Sequence, residues 1–355
     1  MENPTYIPPH IRTTQTPRTI MLNQLIALSI LSLPPLLIYG VRTLIIIAVA
    51  VLGAVAAEAA WCLLTKQKQS VTDLSAVCSG IILACMMPPA IPLGLVLLGS
   101  AFGALTAKLP FGRLGRGVFH PAVTGFAFIS AGYSPHFLVY PAAYGEDRAV
   151  LPIFSSLDLG EPAFENSNPI DILKHGLDPN LDAAEFLLAQ MRGPLGTTAV
   201  LLLLCSLAWL IFKKSAAWQS SAAFAATVFT LSLFFRYDSV KFMLPIYDLL
   251  CGYTIFAAVF LMGDLLTAPQ FVSARVIYGI AGGMLFLLLR RTGAVGGEIF
   301  AVMIISAFSA SIDRLVWRCR LKGISFTGLR DSIAIKIERK FKMHNEEDEI
   351  YGTKI

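Results

Sequence analysis

The feature that most constrains this chain is its succession of long apolar stretches separated by short breaks. About 20 consecutive apolar residues cross a bilayer as a helix, because lipid offers no partner to a bare backbone N–H or C=O. Hydropathy and length pick out about ten such stretches, at 22–39, 43–64, 74–88, 93–107, 119–131, 197–212, 218–235, 247–262, 274–289 and 298–312. Only 14% of the 355 residues are charged, against roughly 25% in soluble domains. The reading is an all-α polytopic membrane protein built as one bundle, with the lipid bilayer as its surroundings.

The breaks divide the chain. Residues 1–20 read as a cytoplasmic N-terminal segment, 21–131 as a first membrane repeat and 132–196 as a long extracytoplasmic loop. Residues 197–315 read as a second membrane repeat and 316–355 as a cytoplasmic tail whose apolar residues recur at helical spacing, as in a surface helix. The first residues, MENPTYIPPHIRTTQTPRTI, are polar and proline-rich, unlike a signal peptide. Orientation follows the lysines and arginines. With the N-terminus inside, Lys66, Lys68, Lys108, Lys213, Lys214 and Arg318 collect on the cytoplasmic side, and the acidic loop lies outside. Both termini are then cytoplasmic. Arg290 and Arg291 fall on the outer side as an exception, expected to be held by a partner or by the long loop. The net charge of +5 sits at the ends of the apolar stretches, so nucleic acid is not an expected partner.

An internal repeat is visible. VCSGIILACMMPPAIP (77–92) is echoed by LLCGYTIFAAVFLMGDLLTAP (249–269). Each is a small-residue helix with Cys and Gly near its start and a Pro-containing end. An apolar helix follows each, and then a glycine-rich break, PFGRLGRGVFHPA in one half and RRTGAVGGEIFAV in the other. The two units run in opposite directions in this topology. The expectation is a five-plus-five inverted repeat, with a site between the halves near the midplane.

Residues able to carry chemistry are few. The stretch Pro110–Phe128 places Gly112, Gly115, Gly117 and Pro121 among Arg113, Arg116 and His120. Irregular backbone at membrane depth is tolerated where it is covered by protein or lines a cavity. A carboxylate inside a bilayer is costly and marks a functional candidate. Glu58 lies within an apolar stretch, and Asp264 follows the end of another at a broken helix matched by the repeat; both are expected on an ion pathway. Asp73, Asp248 and Asp313 read as caps at helix ends. The six cysteines form no CxxC pair and read as small buried hydrophobes, with an iron–sulfur ligand shared with a neighbouring subunit as the alternative for Cys78 and Cys85. The sequence shows no metal-ligand cluster, Walker loop or catalytic triad, so no catalytic or metal-binding residue is assigned.

Taken together, these motifs resemble the D subunit of the Rnf electron-transport complex and the B subunit of the related sodium-translocating quinone reductase. That family reads GGLG-x-N-x-FNPA where this chain has FGRLGRGVFHPA from Phe111, and ATDPVT-x-P where it has MGDLLTAP from Met262. Similar correspondences are DLSAVCSGIILACMMPPAIP from Asp73 and GPLGTTA from Gly193. The resemblance implies a protein with ten spans in a bacterial inner membrane. It would carry flavin and relay electrons in a translocase that moves Na⁺ or H⁺, with the other subunits of an Rnf-type complex as partners. It implies flavin contacts, to FMN or riboflavin, at Gly112, Gly115, Gly117, His120 and Thr267 and in the outer-loop motif Ser167-Asn168. The family attaches FMN through a threonine hydroxyl in that motif. Asn168 takes the threonine's place and has no hydroxyl, and Ser167 lies one register away, so a non-covalent flavin is expected. His120 for the family's Asn, and Arg113 and Arg116 among the glycines, mark a divergent member. The alternatives are an inverted-repeat solute or ion channel or transporter without flavin, and a structural membrane protein that docks redox partners.

Overall fold

The computed structural model describes residues 16–66, 74–111, 117–138, 140–141, 169, 172, 191–234 and 244–321. Among them the chain is helical, without a strand; one isolated bridge pairs Ala216 with Asp264. The first half contains α1 (Pro17–Leu31), α2 (Leu33–Tyr39), α3 (Val41–Thr65), α4 (Ser75–Met86), α5 (Leu93–Gly103) and α6 (Pro121–Gly132). α5 continues through a π-helical turn, Ala104–Lys108, and a 3-10 turn, Leu109–Phe111. The second half contains α7 (Val200–Phe212), α8 (Trp218–Ser232), α9 (Leu244–Leu250), α10 (Thr254–Phe256), α11 (Val272–Arg291), α12 (Gly297–Ala307) and α13 (Ser309–Leu321). α10 runs into a second π-helical turn, Ala257–Leu261.

Local chemistry sets many of these ends. Thr16 and Thr19 cap α1 reciprocally, with Pro17 in the first turn, where its missing N–H costs nothing. His120 caps α6: its Nδ1 accepts from the Ala122 backbone N–H at 3.2 Å, and Pro121 follows at the first helical position. Asp313, on α13, accepts from the backbone N–H groups of Gln270 and Phe271 and so serves the start of α11 from a different helix. Hydropathy predicts a single helix over 247–262. The structure breaks it after α9, where Gly252 adopts a left-handed φ of +67° that favours glycine.

Four helical segments are long and apolar enough to cross a membrane: Pro17–Tyr39, Val41–Thr65, Leu93–Phe111 and Val272–Arg291. The pair Gly297–Ala307 and Ser309–Arg320, bent by 44°, passes the same test together. Leu37, Leu63, Leu64 and Phe212 point outward almost fully exposed, as lipid-facing side chains do. The fold is thus all-α with several apolar helices of membrane-spanning length. Most of the long loop and of the tail, with Arg113, Arg116 and Asp73, lies outside the described residues.

The two halves pack alike. α3 packs on α4 and α5, and α5 on α6; α8 packs on α9 and α11, and α11 on α12. Across the halves α1 meets α7 and α6 meets α12. Small residues let backbones touch, the usual device where lipid removes the hydrophobic drive between helices. A Cβ on Gly125 of α6 would run into the Gly99 carbonyl of α5, and one on Gly279 of α11 would lie 2.6 Å from the Ser220 carbonyl of α8.

Candidate functional site

The broken ends of both halves converge on one cavity. Its volume is about 60 Å³. The first half supplies Ser75 and Ser79 from α4, Lys108 from the turn after α5, and Gly117 and His120 from the segment before α6. α1 adds Gln24, and the break after the second π-helical turn adds Asp264 and Thr267.

Asp264 is 6% exposed. Its Oδ1 accepts from the Leu266 backbone N–H at 3.3 Å and its Oδ2 from the Thr267 hydroxyl at 3.1 Å. The break is anchored to α8: the Ala217 N–H donates to the Gly263 carbonyl at 2.8 Å, and the Ser220 hydroxyl to the Met262 carbonyl at 2.6 Å. Asp264 lies in the turn between helices. Burial pushes its carboxyl above the ordinary carboxylate range, against the opposing pull of His120 and of the Leu266 and Thr267 hydrogen bonds. His120 uses Nδ1 as a helix cap, which leaves Nε2 as its second polar atom.

Glu58, expected on an ion pathway, is neutralised by Lys108, whose Nζ donates to Oε1 at 2.7 Å. The pair is buried, with side-chain exposures of 3% for Glu58 and 12% for Lys108. Lys108 borders the cavity, so Glu58 reaches it only through this cation. The Ser75 hydroxyl, also on the cavity, has no protein partner among the described residues.

A second charged cluster overturns two expectations. Arg290 is 1% exposed. Its Nε donates to Glu298 Oε1 at 2.8 Å, and its guanidinium also reaches Asp248 Oδ1 at 3.3 Å and the Thr254 hydroxyl at 2.6 Å. Asp248 takes further hydrogen bonds from Ser232 and Arg291. Arg290 is therefore held by the chain's own α9 and α12, and Arg291 binds Asp248 of α9. Asp248 is 1% exposed, a buried counter-ion and not an interfacial cap; a carboxylate this deep must be paired. Asp313 does act as a cap.

Gly117, His120, Asp264 and Thr267 meet at the cavity, and Glu58 stands one residue behind it. Gly112, Gly115, Ser167 and Asn168 lie outside the described residues. Reasoning from the sequence missed Gln24, Ser75 and Lys108. The sole advance signal is that Ser75 and Lys108 flank the two breaks of the first half. Among the described residues no disulfide joins the six cysteines, and no group of three metal-ligating side chains occurs.

About 60 Å³ holds roughly four to six waters at 10–15 Å³ each. Gly117, His120 and Thr267, expected to touch flavin, are brought together at this cavity's edge. What the arrangement can do is take up and release a proton or a small cation: a buried carboxylate, hydroxyls and an imidazole border a space the size of a few waters.

The sequence model of the NQR2, RnfD, RnfE family matches residues 5–322. Three similar proteins are each named as the D subunit of a redox complex. The one from the Na(+)-translocating ferredoxin:NAD(+) oxidoreductase complex of Acetobacterium woodii is 26% identical over 325 residues, covering 89% of this chain and 94% of the relative. The one from the proton-translocating ferredoxin:NAD(+) oxidoreductase complex of Clostridium ljungdahlii is 26% identical, covering 86% of this chain and 92% of the relative. The one from the ion-translocating oxidoreductase complex of Shewanella amazonensis is 29% identical, covering 86% and 94%.

Proposed function

The chain belongs to the NQR2, RnfD, RnfE family, and on that premise we propose that it is the D-type membrane subunit of an Rnf-type complex, which couples electron transfer to the movement of Na⁺ or H⁺. Its partners are the other subunits of that complex. The observation that carries the reading is the family match over residues 5–322. The convergence of both halves' breaks on Asp264 adds the place where an ion would pass.

The architecture proposed is ten spans in a five-plus-five inverted repeat, made of 21–131 and 197–315. The matched packing of the two halves supports it, as does the pairing of α1 with α7 and of α6 with α12: a two-fold pseudo-axis brings equivalent elements together across itself. Both termini are placed in the cytoplasm of a bacterial inner membrane and 132–196 outside it, on the lysine and arginine asymmetry.

In this reading Asp264 binds the ion or proton, and Thr267 and the Leu266 N–H orient its carboxylate. Lys108 keeps Glu58 neutralised beside the cavity, so Glu58 acts through Lys108. Gln24 and Ser75 offer further oxygen atoms to a guest. FMN or riboflavin would supply one-electron chemistry to the complex. Its non-covalent retention by this chain is proposed for the outer-loop motif at Ser167 and Asn168 and for Gly112, Gly115, Gly117, His120 and Thr267. Asp264→Asn in the reconstituted complex is the test: electron transfer that continues while cation movement stops supports the reading, and unchanged cation movement removes Asp264 from the path.

A further inference from the structure

The cavity at Asp264 is bordered by polar groups that the protein itself leaves unmet. Gln24, on α1, is 6% exposed, and its amide makes no hydrogen bond among the described residues. Ser75, at the start of α4, is 8% exposed, and its hydroxyl has no partner there either. Both side chains line the cavity. A buried amide or hydroxyl without a partner forfeits its hydration for nothing in return. Two of them around one space point to a guest that uses their oxygens.

Charge narrows the guest. The ionisable side chains lining the cavity are Asp264, His120, Lys108 and Cys78. Lys108 is already answered by Glu58 at 2.7 Å. His120 Nδ1 accepts from the Ala122 N–H, so the ring proton sits on Nε2 and the imidazole is neutral. The Cys78 thiol donates to the Met21 carbonyl at 3.5 Å and so keeps its proton. Once ionised, the Asp264 carboxylate is therefore the charge left to be balanced at this cavity, and one monovalent cation balances it.

The supply of oxygen separates the two monovalent candidates. A proton needs one carboxylate lone pair and would leave Gln24 and Ser75 unmet. A hard cation stripped of water needs several oxygens at once, and broken helices are where membrane proteins gather them for Na⁺. Gln24 from α1, Ser75 from α4, and Asp264 and Thr267 from the break bring such oxygens to one space of about 60 Å³, room for the ion and part of its water.

We propose that this cavity is a Na⁺ site in which Gln24 and Ser75 ligate the ion beside Asp264, so that the ion moved through this chain is Na⁺. The inference rests on the reading of Asp264 as an ion-path residue.

The complex is reconstituted in proteoliposomes as wild type, Gln24→Leu, Ser75→Ala and Asp264→Asn. Radioactive Na⁺ uptake and internal pH are followed during electron transfer, with and without a protonophore. Wild type should take up Na⁺ with the protonophore present. Gln24→Leu and Ser75→Ala should each raise the Na⁺ concentration for half-maximal uptake about tenfold, the size of one polar contact to a charged group. The rate at saturating Na⁺ should recover, a split that a merely structural role would not give. Proton movement without Na⁺ uptake in wild type would overturn the inference, as would an unchanged half-maximal concentration in both variants. With Asp264→Asn impaired, either result leaves the Asp264 reading standing. Normal transport in Asp264→Asn would remove both. If the Gln24 and Ser75 variants fail to assemble, heat stability decides. Na⁺ should raise the melting temperature of the wild-type complex above that in K⁺ at equal ionic strength, and Asp264→Asn should lose the rise; equal melting temperatures in the two salts would overturn the inference.

Discussion

Arg290 grips Glu298 with two hydrogen bonds, Nε to Oε1 at 2.8 Å and Nη2 to Oε2 at 3.2 Å. This buried fork ties the end of α11 to the start of α12, and Arg290 adds Asp248 of α9 to the same knot. Removing Glu298 leaves a buried guanidinium short of a counter-ion, which costs about 3 kcal/mol. Glu298→Ala should therefore melt well below wild type in detergent. The double variant Arg290→Leu with Glu298→Leu should recover part of the loss, since the unpaired guanidinium is gone. Equal melting temperatures for Glu298→Ala and wild type would refute the arrangement.

Asp264→Asn should abolish most coupled ion movement while the complex still assembles, because the isosteric amide keeps one oxygen for the Leu266 N–H, turns an NH2 toward the Thr267 hydroxyl oxygen, and cannot ionise. Burial holds the wild-type carboxyl protonated above the ordinary carboxylate range. Its proton is therefore lost only as pH rises through that raised value, and a proton-coupled wild type should show this step in its pH profile. The step should be absent from the variant. Transport assays across pH check both statements.

Gly125→Val should lower the amount of folded protein in membranes sharply. The added Cβ meets the Gly99 carbonyl, which is backbone and cannot turn aside, so α5 and α6 must separate; overpacking of this kind costs about 1–3 kcal/mol or more. Gly94→Ala, where a Cβ meets nothing within 4 Å, is the control and should accumulate normally. Immunoblots of membrane fractions give the comparison.

Orientation is open to labelling. In a cysteine-free background, Ser155→Cys should react with an impermeant thiol reagent in intact cells and Thr353→Cys only after lysis, as the lysine and arginine asymmetry requires. Reaction at position 353 in intact cells would reverse the proposed topology.

The chain should run without fluorescence on a denaturing gel when co-expressed with its own flavin transferase, because Asn168 has no hydroxyl to form a phosphoester. Asn168→Thr should make the band fluorescent. A wild-type fluorescent band lost in Ser167→Ala would instead identify Ser167 as the attachment point.

Local sequence settled much of this protein. Apolar runs without backbone partners in lipid must be helical, and the echo of MMPPAIP in MGDLLTAP points to where the two halves break. The break within 247–262 was not legible, because the turn at Gly252 sits inside unbroken hydropathy. Glu58 and Asp264 both stood out as carboxylates in apolar surroundings, yet only the packed structure distinguishes them. One is tied to Lys108 from 50 residues away, while the other faces the cavity with only neutral donors bound to it. Arg290 stood out in the sequence only as an exception to the orientation rule and Asp248 only as a helix-end charge, because their meaning lies in partners on other helices. Hydropathy is a property of each segment alone and survives in the sequence; charge pairing arises only when α8, α9, α11 and α12 are brought side by side.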